Sequence, residues 1–272
     1  MMTPIRLIAS DLDQTLLLSD KTLPAGTFSR IRRLAEAGIE FVAASGRAVY
    51  TLEAMFAPVL DCMSLVAENG AVIKRHGELL ATNLMQPEAY REVVAKTRAR
   101  GIGIPFVCSL DATLFAEADR GVENDMAHFI ANMAFVPDLL ALDMPVPKTT
   151  VYLAAGDAYA QAAAFYRPQF QPRLAVTVGG PTFIDLMAPK VNKGRALKQL
   201  GAALGIPTAV MMAFGDTDND IEMMQTVGYG VRMANATPNM AAYTGFHTAS
   251  NDEAGVLQGI DLVLAGRLPQ RG

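Results

Sequence analysis

A short apolar run, Ile5-Arg6-Leu7-Ile8-Ala9, ends in Ser10-Asp11-Leu12-Asp13-Gln14-Thr15-Leu16-Leu17, and this stretch constrains the chain more than any other. The run is too brief and too β-branched for a helix, so it reads as a buried strand. In parallel α/β sheets, chemistry collects outside the carboxyl ends of the strands. Alternate residues of an extended segment point the same way, so Asp11 and Asp13 can converge on one bound cation. The same two acids also suit an Asp-rich turn that closes a strand, and this stretch alone leaves both readings open.

The pattern returns along the chain. Residues 25–37 read as a helix, with Phe28, Ile31, Leu34 and Ala35 at helical spacing and Gly38 placed to cap it. Ile39 to Ala44 is a second buried strand running into Ser45-Gly46-Arg47, followed by a short helix broken by Pro58. Ser64 to Ala67 is a third strand, ending in Glu68-Asn69-Gly70, and a small hairpin covers 71–81. After about residue 84 the order changes: helix 88–100, strands 104–109 and 112–117, helix 122–135, strand 148–154, helix 157–168, and strands 173–179 and 182–187. Adjacent paired strands with helices indicate an inserted α+β module rather than a continuing doubly wound sheet. Lys193 to Leu204 is a helix closed by Gly205, and Ala209 to Phe214 is a strand ending in Gly215-Asp216-Thr217-Asp218-Asn219-Asp220.

At 272 residues the chain exceeds the roughly 100–150 of a usual single domain, so two domains are expected. With 51% hydrophobic and 18% charged residues it can bury a large core. A net charge of −4 and the lack of a basic run argue against nucleic acid as a partner. Cys62 and Cys108 are too few for a disulfide framework and wrongly spaced for zinc. Asp11 interrupts any signal-peptide core, and no stretch approaches the ~18 apolar residues of a membrane span. A cytoplasmic protein, monomer or homodimer, with no membrane partner is the expectation.

Three strand ends thus carry reactive-looking groups, Asp11/Asp13, Ser45 and Asp216/Asn219/Asp220, with Lys193 opening a helix before the last. They fit phosphoryl transfer through an aspartyl phosphate, in which a carboxylate attacks phosphorus and splits one hard hydrolysis into two steps. Asp11 takes the nucleophile role. Asp13 protonates the leaving alkoxide and later deprotonates the attacking water, provided it lies away from the metal. Carboxylates gathered around an anionic phosphate require a cation, and oxygen-only donors point to Mg²⁺. Asp11 and Asp216 are the expected side-chain ligands, with the Asp13 carbonyl. The Ser45 hydroxyl and the Gly46 N–H would donate to phosphoryl oxygens. Lys193 suits a phosphate as a point charge and would hold Asp11 ionised. Asn219 would bind phosphate or orient Asp11, and Asp220 would lock Lys193 or the metal shell.

Blander accounts stand beside these. Ser45 also suits a helix N-cap, and Lys193 taken alone is a solvated helix residue. Asp216–Asp220 resembles the start of an EF-hand loop, but that loop needs Gly and Glu at its sixth and twelfth positions, where Ile221 and Val227 stand. Arg47 and Glu68 suit a structural ion pair. His76, His128 and His247 are isolated, and the fifteen methionines read as core filler.

Asp11-Leu12-Asp13-Gln14-Thr15-Leu16, Ala44-Ser45-Gly46-Arg47, Lys193 and Gly215–Asp220 occur in the order of the haloacid dehalogenase superfamily. The chain resembles its Cof-type sugar-phosphatase group, as do Glu68-Asn69-Gly70-Ala71 and Ser250-Asn251-Asp252-Glu253-Ala254-Gly255-Val256. The resemblance covers the whole chain, with Ser45 where many relatives have Thr. It implies a Rossmann-like α/β core over 1–83 and 188–272, and a C2B-type α/β cap over 84–187. It also implies Mg²⁺ dependence, phosphate contacts from Leu12 and Asn219, and supporting roles for Thr15, Arg47, Asn69 and Asp220. A phosphatase of small phosphorylated metabolites follows, with sugar phosphates foremost and nucleotides or a flavin-precursor phosphate also admitted. Its rivals are a phosphomutase and a non-enzymatic phosphate-sensing protein. The receiver-domain form of the latter is shorter and does not have the motif of residues 11–15.

Overall fold

The computed structural model describes residues 5–127 and 129–271, which form two compact units. The first holds the described residues up to Ser45, then Met55–Ala81, and those from Asn192 on. Its strands and helices are β1 (Leu7–Ser10), α1 (Thr27–Glu36), β2 (Glu40–Ala44), α2 (Val49–Phe56, shared with the second unit), β3 (Ser64–Ala67), β4 (Val72–Arg75) and β5 (Glu78–Thr82). The second unit, Gly46–Ala54 and Thr82–Val191, contributes α3 (Pro87–Arg100), β6 (Ile104–Cys108), β7 (Thr113–Ala116), α4 (Glu123–Met126), β8 (Met133–Val136), β9 (Lys148–Tyr152), α5 (Ala158–Gln161), α6 (Arg167–Phe170), β10 (Ala175–Val178) and β11 (Phe183–Met187). The chain then re-enters the first unit with α7 (Lys193–Leu204), β12 (Met211–Gly215), α8 (Ile221–Thr226), β13 (Tyr229–Arg232), β14 (Phe246–His247), α9 (Gly255–Leu264) and β15 (Gln270–Arg271).

Among the described residues the first unit's sheet runs β15-β14-β13-β12-β1-β2-β3-β4-β5. Its centre, from β14 through β12, β1 and β2 to β3, is parallel, and β4 and β15 join antiparallel at the sides. Parallel strands are buried on both faces, which is why they read as near-continuous apolar runs. Leu7, Ala9, Val42, Ala44 and Val66 face Ala196, Leu197 and Leu200 of α7. On another helix, α9 comes so close to the sheet that a Cβ at Gly259 would stand 2.5 Å from the Phe214 ring. Because β1 has β2 on one side and β12 on the other, the chain's direction of winding reverses there. Such a switch point opens a crevice at the strands' carboxyl ends, where Asp11, Ser45 and Asp216 stand. The α/β class expected from sequence is the one observed.

The second unit is a six-stranded sheet in the order β10-β11-β9-β6-β7-β8, antiparallel except between β7 and β8. Buried Tyr90, Val93, Val94, Tyr166 and Phe170 of its helices fill its core. Gly46–Ala54 packs with this unit: Tyr50 Oη and Thr113 Oγ1 share a 2.7 Å hydrogen bond, and Lys148 Nζ donates to the Gly46 carbonyl at 2.6 Å.

One expected element is corrected. Among the described residues of 122–135 stand the single turn of α4 and then strand β8, parallel to β7. Met126, Ile130 and Met133 have helical spacing, but Phe135 packs on Phe115 at 5.8 Å between ring centres. Asn132 is tied to the β7 side as well, through Thr113 N–H to its carbonyl (2.9 Å) and its amide to Asp111 O (2.6 Å). Cross-strand packing outweighs local propensity here. His128 lies outside the described residues.

Candidate active site

Asp11 follows β1 directly, and its N–H donates to Phe214 O of β12 at 3.0 Å, so the sheet fixes its backbone. The chain then curls through a wide turn, with Leu16 N–H bonded to Asp11 O (3.2 Å) and Leu17 N–H to Leu12 O (2.8 Å). Gln14 sits in the left-handed region at φ 61°. This turn removes Asp13 from the extended path on which the two acids would converge. Asp11 is 5% exposed, whereas the Asp13 side chain is 41% exposed and pairs with Lys21 at 3.0 Å. The carboxylates that do converge are Asp11, Asp216 and Asp220, all buried, each offering an oxygen within 4.8 Å of the others. The Leu12 side chain is wholly buried, which leaves its backbone as the group it can offer.

Lys193, the first residue of α7, is fully buried and donates to Asp11 Oδ1 at 2.5 Å and to Asp220 Oδ1 at 2.7 Å. Its place is set by the N-cap: the Asn192 side chain accepts from Arg195 N–H at 2.8 Å, satisfying one of the helix's orphan donors. Two glycines make the approach possible. A Cβ at Gly194 would collide with Glu222 O of α8, and one at Gly215 would lie 2.6 Å from Asp220 Oδ2. Asp220 is anchored in turn, its Oδ2 accepting from the N–H groups of Asp216 (3.1 Å) and Thr217 (3.4 Å) in a capping box. Thr15 Oγ1 donates to Asp216 Oδ1 at 2.9 Å. Asn219 stands in the same turn, with its Oδ1 buried and unpaired among the described residues.

Ser45 closes β2 and is buried. Its N–H donates to Val66 O and its carbonyl accepts from Asn69 N–H, both at 2.9 Å. A peptide is planar and trans, so holding the Ser45 carbonyl aims the Gly46 N–H the opposite way. Asn69 reaches Ser45 through three successive left-handed residues, Glu68 (φ 52°), Asn69 (φ 55°) and Gly70 (φ 105°). Each of the two non-glycine members costs about 1 kcal/mol or more. Gly70 is required for space as well, since a Cβ there would stand 2.5 Å from Asn192 O. The first unit thus brings together Asp11, Leu12, Thr15, Ser45, Asn69, Lys193, Asp216, Asn219 and Asp220. Gly46 and Arg47 follow Ser45 in the chain and belong to the second unit.

Burial pushes the Asp11 carboxyl well above the usual range, Lys193 pulls it down, and Asp220 and Asp216 push it up again. Lys193 thus pulls in the expected direction, toward the ionised carboxylate, against burial and the two neighbouring acids. Burial also lifts Asp216, with Asp220 adding and Thr15 opposing, to about 6. For Lys193, burial works downward, and the charges of Asp11 and Asp220 carry it above its ordinary value. Three acids sharing one lysine make a site short of positive charge. The Lys193 and Thr15 bonds use only Oδ1 of Asp11 and of Asp216, so each has a second oxygen not engaged by a described residue. This all-oxygen donor set fits a hard divalent cation.

The sequence reading missed Lys21 at Asp13, the close approaches at Gly194 and Gly215, and the capping box. The Thr217-x-x-Asp220 spacing was the one visible signal for the last.

A strand-end carboxylate bonded to a buried lysine, beside a second acid in a parallel α/β sheet, is an arrangement suited to phosphoryl transfer. The chain belongs to the haloacid dehalogenase-like hydrolases, whose family profile matches residues 8–260. It is 28% identical to the 5-amino-6-(5-phospho-D-ribitylamino)uracil phosphatase YbjI of Escherichia coli, over 97% of this chain and 98% of that one. It is likewise 28% identical to the HMP-PP phosphatase of Cronobacter sakazakii, over 87% of each. The solved Streptococcus mutans protein SMU.1108c superposes with a TM-score of 0.88 at 28% identity, covering 96% of this chain and 99% of that one. The protein is a phosphoric monoester hydrolase. No helix among the described residues is long and apolar enough to cross a membrane.

Proposed function

We propose that this protein is a cytoplasmic, Mg²⁺-dependent phosphatase of small phosphorylated metabolites, sugar phosphates foremost, working through an aspartyl phosphate on Asp11. The observation that carries the reading is the Lys193 bridge between Asp11 and Asp220 at a switch-point crevice beside Asp216. A buried carboxylate fixed by sheet and lysine is a positioned nucleophile.

An Asp11 oxygen attacks phosphorus as the bond to the leaving oxygen breaks, and Asp13 gives that oxygen its proton. Asp13 then takes a proton from water, the water oxygen attacks phosphorus, and the Asp11 carboxylate leaves with the bonding pair. Ser45 Oγ, the Gly46 N–H, the Leu12 backbone and Asn219 hold the phosphoryl oxygens, and Lys193 supplies fixed positive charge. Asp220 keeps Lys193 in place, Thr15 orients Asp216, and Asn69 and Arg47 support the Ser45 turn. Asp11, Asp216 and the Asp13 carbonyl would hold Mg²⁺, which would supply the charge neutralisation that lets a carboxylate meet an anionic phosphate. The second unit acts as the cap that selects the leaving group.

Relatives from Escherichia coli and Bacillus subtilis carry the name of a phosphatase for a ribityl phosphate, an ester of a sugar-alcohol chain. That name supports a polyol-bearing leaving group here. The test is phosphate release from sugar phosphates, nucleotides, a ribityl phosphate and p-nitrophenyl phosphate, with Mg²⁺ and with EDTA. Mg²⁺-dependent release from a sugar or sugar-alcohol phosphate supports the reading. Interconversion of sugar-phosphate isomers without phosphate release would replace it with a mutase.

A further inference from the structure

The stretch Ser250–Val256 and residue Asn235 have no part in the chemistry above, yet they grip the loop that carries Asp13. Asn235 Nδ2 donates to Gln14 O at 2.8 Å, and Asn251 Nδ2 donates to Leu17 O at 3.0 Å. Asn251 N–H donates to Asn235 Oδ1 at 3.1 Å, which ties the two asparagines into one unit. Asp252 accepts from Ser19 N–H (2.8 Å) and Ser19 Oγ (2.7 Å). Asn251 is 2% exposed, so its amide is committed inside the protein. The gripping segment is itself sharply set: Ala254 has φ 54°, and a Cβ at Gly255 would collide with Ala249 O.

Gln14, at φ 61°, is the residue after Asp13 and the left-handed point of the turn. A non-glycine residue persists in that region only where its surroundings over-determine it. Asn235 holds the Gln14 carbonyl, hence the peptide plane one residue beyond Asp13. Asp11 is fixed from elsewhere, by Phe214 O and Lys193. The two acids are therefore anchored by separate parts of the fold, and their separation depends on both anchors.

We propose that Asn235 and Asn251 are positioning residues that set where Asp13 stands relative to Asp11. The proposal rests on Asp13 being the general acid and base. General-acid help matters most for a poor leaving group, an alkyl alcohol, and least for p-nitrophenolate, which departs without a proton. Asn235 is surface-exposed, so Asn235→Ala removes its hydrogen bonds without leaving a buried cavity, and the variant should still fold cooperatively.

The experiment compares kcat/KM for a sugar phosphate and for p-nitrophenyl phosphate in wild type, Asn235→Ala and Asp13→Asn. Losing one hydrogen bond's worth of positioning lowers the sugar-phosphate value roughly three- to tenfold in Asn235→Ala, while the p-nitrophenyl value stays within about twofold. Asp13→Asn shows the same bias, larger. A bias in Asp13→Asn without one in Asn235→Ala overturns the clamp alone. Equal losses on both esters in Asp13→Asn overturn the acid–base reading and the clamp with it.

Discussion

Replacing Asp216 by Asn tests the electrostatics of the site apart from turnover. Asp216 is 8% exposed and carries a carboxyl lifted from 3.8 to about 6. Its folded value is above its unfolded one, so the folded protein binds the proton more tightly. Stability is then greatest below the unfolded value and falls as pH rises through about 6. A shift of about two units corresponds to about 3 kcal/mol of destabilisation, fully present at pH 7 in the absence of a cation. Asn keeps the shape and an oxygen to accept from Thr15 Oγ1, while removing the charge. In EDTA at pH 7, Asp216→Asn should melt higher than wild type by several degrees, at about 2–4 °C per kcal/mol for this size. Near pH 4 the gap should shrink toward zero, because wild-type Asp216 is then protonated. Adding Mg²⁺ at pH 7 should raise the wild-type melting temperature and leave the variant's unchanged. Thermal melts at two pH values, with and without Mg²⁺, make the measurement. Equal melting temperatures in EDTA at pH 7, or a gap that persists at pH 4, would refute the reasoning.

Other outcomes follow from the same geometry. Lys193→Met strands Asp11 and Asp220 as buried charges without their counter-ion, and should lower stability by about 3–5 kcal/mol in denaturant titrations. A variant as stable as wild type would show that Lys193 is not needed to balance them. Gly194→Ala drives a methyl into Glu222 O and should cost about 1–3 kcal/mol and reduce activity together, since α7 carries Lys193. Ser45→Ala should raise KM or lower turnover; unaltered kinetics would remove Ser45 from the phosphate contacts.

Much of this site was legible because strand ends in a parallel sheet are written plainly. A short apolar run stops at an acid or hydroxyl, as at Asp11, Ser45 and Asp216, and buried central strands show no competing surface pattern. The cap of α7 was readable from Gly205, in the left-handed conformation at φ 64°. Asp13 was less legible. An extended pair of acids reads as converging, and only the wide turn with its left-handed Gln14 sends the second toward Lys21. Strand β8 was hidden because Met126, Ile130 and Met133 mimic a helix, and the phenylalanine that decides the matter, Phe115, lies twenty residues before Phe135. The net upward push on Asp11 could not be read either, since it depends on how deeply the carboxyl is buried.

The central claim is that Asp11 takes the phosphoryl group before water does. The steric course at phosphorus tests it most directly, using a substrate whose phosphoryl group is made chiral with oxygen isotopes. Two successive in-line displacements, first by Asp11 and then by water, give net retention, and retention is the predicted result. Net inversion would mean that water attacks the substrate directly, and Asp11 would then not be the nucleophile.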